Sequence, residues 1–156
     1  MKIVRGDGAQ VLMGLSLREK EWLEFLLEAY PLTPEGHLPL SHSVGEEGLR
    51  EEREMLAASL KESRQGNLGL VDRFLAEMGK ASEVEDGIRI SVEESQIDWL
   101  LEVLNDVRVG CWVRLGRPDP DEMQEGQGEE ALHAAMGIAG YFQAGLLAAL
   151  EDLEKS

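Results

Sequence analysis

The stretch from Ser91 to Gly116, SVEESQIDWLLEVLNDVRVGCWVRLG, contains no proline, and its apolar residues recur at three- and four-residue spacings. That pattern predicts one long helix. Ser91 followed by Glu94 reads as a capping box at its start. Gly116 stands where a C′ glycine ends a helix, and Pro118 blocks any continuation. A helix of about 22 residues spans about 33 Å. At 100° per residue, Ile97, Leu100, Leu101, Val103, Leu104, Val107, Cys111, Trp112 and Leu115 share one wide apolar face. Arg108 projects near the middle of that face and Arg114 at its edge. The opposite side carries Asp98, Glu102, Asn105 and Asp106, yet Trp99, Val109 and Val113 lie there too. A helix apolar on two sides is central in its fold or covered by a second subunit.

A second helix shows a matching oddity. SLREKEWLEFLLEAYP opens with Ser16 and Glu19 as a capping box and stops before Pro31. Trp22, Leu23, Phe25, Leu26, Leu27, Ala29 and Tyr30 form its apolar face, and Glu19 falls within their arc. One acid and one base therefore sit on core-facing stripes. A buried unpaired charge is costly. The expectation is that Glu19 pairs with Arg108 across a helix interface, with Arg114 as the competing partner. The plainer alternative is that Glu19 only completes its capping box while Arg108 reaches water along its aliphatic stem.

The rest of the chain fills in a fold class. KIVR and QVLMGL flank the turn-forming GDGA and predict a hairpin. EDGIRIS alternates like a strand that pairs with that hairpin. Two helices, about 49–64 and LGLVDRFLAEMGKA, are separated by QGN. The last helix, about 129–153, has only His133 and Gln143 as polar residues between Ala131 and Leu150. Its richness in Ala and Gly and its acidic flanks favour a core helix over a membrane span. Residues 31–47 and 117–128 read as surface loops. The expected architecture is a mainly α domain over residues 1–156, with about five helices and a small two- to three-stranded antiparallel sheet.

Composition limits the function classes. Fifteen basic residues face 31 acidic ones, a net charge of −16. Such a surface repels phosphate backbones and anionic membranes, so neither nucleic acid nor membrane is expected as a partner. Cys111 is the only cysteine, and MKIVRGDGAQ lacks the apolar run of a secretory signal. A cytoplasmic protein is expected. No phosphate-loop, dinucleotide, nucleophile-elbow or paired-cysteine motif occurs. His37 and His42, near Glu46 and Glu47, are weak metal candidates and read more simply as solvated loop histidines. Cys111 lies on an apolar helix face, where a thiol is packing rather than a nucleophile to pair with His133. The acids Asp119, Asp121, Glu129 and Glu130 lack the spacing of a calcium loop. No cofactor is expected.

IDWLLEVLNDVRVGCWVRLG resembles an uncharacterised, actinobacterial-type family of small helical proteins with the pattern W-L-x3-L-N-D-x-R. The matching positions are Trp99, Leu100, Leu104, Asn105, Asp106, Arg108, Arg114 and Leu115. The resemblance implies the helical fold and draws attention to Arg108. Genes of that family tend to lie near that of a protease adaptor, so the resemblance hints at proteolysis or its regulation, but it supplies no activity. GCWVRL departs from the family's usual Gly-Thr-Arg-Leu ending.

Two functions remain in view. The first is a non-enzymatic interaction or regulatory protein that self-associates as a dimer through Trp99, Val109 and Val113, alongside a protein partner of unknown identity. The second is a ligand-binding protein or enzyme with a polar pocket near Arg108, Asn105 and Asp106.

Overall fold

A computed structural model of the chain describes residues 1–33, 46–118 and 129–155. Its elements run β1 (Lys2–Arg5), β2 (Gln10–Ser16), α1 (Leu17–Ala29), α2 (Glu46–Gly79), β3 (Ser82–Val84), β4 (Gly87–Glu93), α3 (Glu94–Arg114) and α4 (Glu130–Lys155). The described residues thus form four helices and a four-stranded antiparallel sheet in the order β1-β2-β4-β3.

Alternation along the two central strands decides which sheet face is covered. Val11, Met13 and Leu15 of β2 stand opposite Val92, Ile90 and Ile88 of β4, and all six are buried. The other face carries Lys2, Gly14 and Arg89 in one row across three strands. Only the first face joins the core with Leu23, Leu26, Phe74, Leu104 and Phe142 from the helices.

The hairpin, the pairing of β4 with it and the first capping box form as the sequence predicts. Ser16 Oγ accepts from the Glu19 amide at 3.0 Å, and Glu19 Oε1 accepts from the Ser16 amide at 2.9 Å. Three other expectations are corrected. The sheet has four strands because Ser82–Val84 pairs with β4 as an edge. The helix count is four because α2 runs through QGN without a break. Each glycine in a helix costs about 1 kcal/mol, but packing of Val71, Phe74 and Met78 into the core outweighs that local preference. Asn67 of the same stretch is buried and donates to the Tyr30 hydroxyl at 3.3 Å. The second capping box shifts as well. Ser91 belongs to β4 and donates to Gln10 Oε1 at 2.9 Å, so α3 starts after Glu93, whose amide is capped by Gln96 Oε1 at 2.8 Å. At the far end Gly116 takes φ +89°, the left-handed conformation of a helix C′ residue.

The partner of α3 is α4, which lays Ala135, Ala139, Phe142 and Leu146 into the core. By length and composition alone α4 could also cross a membrane.

Candidate functional site

The buried residues of α3 are Ile97, Leu100, Val103, Leu104, Val107, Gly110 and Cys111. They define an arc whose centre lies about 40° from that of the face drawn from the sequence, which Leu101 and Trp112 had widened. That rotation carries Arg108 to the rim, where it is exposed and donates to Asn105 Oδ1 at 3.1 Å. Arg114 is exposed too. The expected meeting of Glu19 with either arginine is replaced by a different constellation. Glu19, 7% exposed, accepts from the Met1 ammonium and from the Tyr141 hydroxyl, the latter at 2.6 Å. Burial pushes the Glu19 carboxyl upward. The hydrogen bonds from the terminal ammonium, the Ser16 amide and Tyr141 outweigh it and bring the pKa down to about 2. The same contact raises the pKa of Tyr141.

The rotation turns Trp99, on the second apolar side of α3, towards α2 of the same chain. Trp99 meets Phe74 of α2 edge-to-face at 5.8 Å. Seven residues along, on the same face, Asp106 gathers the chain that leaves α1. Asp106 Oδ1 accepts from the amides of Leu32 at 2.7 Å and Thr33 at 3.2 Å. The Thr33 hydroxyl donates to the Asp106 carbonyl at 2.9 Å. Arg64 of α2 closes the arrangement: it donates to the Thr33 carbonyl at 2.7 Å and stands 3.6 Å from Asp106 Oδ2. One turn further, a Cβ on Gly110 would sit 2.6 Å from the Leu32 carbonyl carbon, so the close approach requires glycine. Three elements are thus tied at one carboxylate. Its oxygens are occupied by amides and a guanidinium, the arrangement of an anchor rather than of a proton carrier.

Asp106 and Arg108 are two positions apart and therefore point to different sides of α3. Among the described residues, Asp106 faces the segment Leu32–Thr33, whereas Arg108 faces a cleft on the other side. Asn105 is exposed and orients Arg108. On Arg108's side lies an open cleft of about 210 Å³ lined by Arg108, Val109, Trp112 and Met136. Trp112 is fixed there by donating Nε1 to the Pro118 carbonyl at 3.0 Å. Val113 is half-buried. Cys111 is fully buried, and burial raises its thiol pKa against the opposing pull of Arg114. His37, His42, Asp119 and Asp121 lie outside the described residues.

Sequence reasoning missed Arg64, Thr33, Gly110, Tyr141 and Met1. A usable signal existed for Gly110, since a glycine inside a long helix carries a cost that close packing explains. None existed for Arg64, which stood among solvent-facing charges.

The fold and its clasp define a small, mainly helical α+β protein in which one long helix organises the chain. It belongs to the DUF2017 family, a domain of unknown function, whose family model matches residues 38–150. The matched region spans α2, β3, β4 and α3 and most of α4, and leaves out the first hairpin and α1. No curated protein and no solved structure matched the chain.

Proposed function

We propose that this protein is a non-enzymatic interaction module of the cytoplasm that forms a dimer through the amino-terminal half of α2. Trp99 itself packs against Phe74 of the same chain, which favours a surface elsewhere. The supporting observation is a stripe that runs off the core. On α2, Leu49, Leu56 and Leu60 share one face with Asn67, Val71, Phe74 and Met78. The last four are buried, whereas Leu56 and Leu60 are each 41% exposed and residues 50–63 are exposed throughout.

Charge favours a second copy as the occupant. Two chains of −16 repel each other, but residues 49–64 hold four acids and four bases, so this segment adds no net charge to a pairing. Sixteen helical residues extend about 24 Å. Their pairing buries less than the ~1,200 Å² of a stable interface, so the dimer is weak and depends on concentration. The single cysteine, which can form no intrachain disulfide, supports the cytoplasmic reading, and the acidic charge disfavours nucleic acid and anionic membranes.

Sedimentation velocity over a wide concentration range tests the reading. Wild-type protein moves towards a dimer as concentration rises, and the exposed double substitution Leu56→Glu with Leu60→Glu stays monomeric. A wild-type chain that remains monomeric at the highest concentration refutes it. So does a double variant that associates as wild type does.

A further inference from the structure

We infer that the cleft between α3 and α4 is a binding site for a small apolar molecule bearing one carboxylate. Two features of the cleft select that chemistry. Its walls are Val109, Trp112 and Met136, an aliphatic, an aromatic and a polarisable thioether side chain, which suit a flat or branched apolar body. Its one charged wall is Arg108, whose guanidinium offers a donor fork suited to a carboxylate.

Neither group is loosely held. Asn105 holds the guanidinium from one turn below, and the bond from Trp112 Nε1 to the Pro118 carbonyl sets the indole plane. The surroundings reinforce the choice of an anion. Arg114, in the last turn of α3, adds a second cation to this end of the helix.

Size and charge together favour a small molecule over an acidic peptide. A cleft of about 210 Å³ is smaller than a typical drug-sized pocket. A chain of −16 also repels a polyanionic segment at long range, while a single carboxylate in the cleft meets Arg108 at short range.

The test is a titration followed by two-dimensional NMR, with 3-phenylpropionate as probe and its primary amide as the neutral counterpart. The expected result is saturable movement of the Trp112 indole N–H and the Met136 methyl signals with the acid. The amide, and the variant Arg108→Gln with the acid, bind about tenfold more weakly, as loss of one charge-assisted contact implies. Arg108 is exposed, so an unchanged thermal midpoint accompanies that loss and separates binding from folding. The inference is overturned by an absence of movement at Trp112 and Met136. Equal binding of acid and amide, or of wild type and Arg108→Gln, overturns it as well.

Discussion

Replacing Asp106 by alanine removes the carboxylate that ties α3 to the chain leaving α1. Three contacts disappear: the amide of Leu32 at 2.7 Å, the amide of Thr33 at 3.2 Å and the Arg64 guanidinium at 3.6 Å. The bond from the Thr33 hydroxyl to the Asp106 carbonyl survives, because its acceptor is backbone. A hydrogen bond to a charged group contributes about 1.5–3 kcal/mol. The ion pair adds less than those bonds, because its 3.6 Å separation is longer than a charge-assisted hydrogen bond. The two amides are partly satisfied by water once the carboxylate is gone. The net cost is therefore about 2–4 kcal/mol. Urea denaturation reads this as a lower midpoint with an unchanged slope. Asn105→Ala, one residue away but exposed, serves as control and costs under about 0.5 kcal/mol. A loss at Asp106 below about 1 kcal/mol, or one equal to the control, refutes the clasp as an anchor. A double-mutant cycle with Arg64→Ala then measures how far the two residues act as a unit.

Gly110→Ala places a methyl group 2.6 Å from the Leu32 carbonyl carbon, and the backbone must shift. Its expected cost is about 1–3 kcal/mol in denaturant, and a neutral substitution refutes the close approach. Arg108→Ala leaves the midpoint within about 0.5 kcal/mol, because its side chain is solvated; a large loss refutes the rotated face. Glu19 has a carboxyl held at about 2 in the folded chain, against 4.5 for a free one. A depressed folded pKa means stability that is present above pH ~4.5 and lost as pH falls towards 2, worth about 3 kcal/mol in all. Glu19→Gln lowers stability at neutral pH and flattens its pH dependence in that acid window; an unchanged acid slope refutes the pairing with the terminal ammonium and Tyr141.

Local order determined most of what sequence analysis reached. Alternation in QVLMGL and GIRIS sets strands whose faces a single register decides, so the pairing of β2 with β4 was legible. Ser16 and Glu19 are three residues apart, and that spacing suffices for the capping box. The apolar period of residues 97–111 defined a long helix before any neighbour was known.

The sequence fell short wherever one element meets another. A helical wheel shows which residues share a side, but the neighbours decide which side is covered. On α3 the decision turned on Gly110 and Asp106, whose value appears only when Leu32, Thr33 and Arg64 arrive from distant parts of the chain. Arg108 looked central because Leu101 and Trp112 widened the apparent apolar arc; the true arc runs through Val103 and Gly110. QGN looked like a break because glycine is a poor helix former, and burial of Val71, Phe74 and Met78 overrode it. Periodicity and capping are short-range and additive, so the chain alone carries them. The partners of Glu19 and Asp106 are long-range, and only the packed structure chose them.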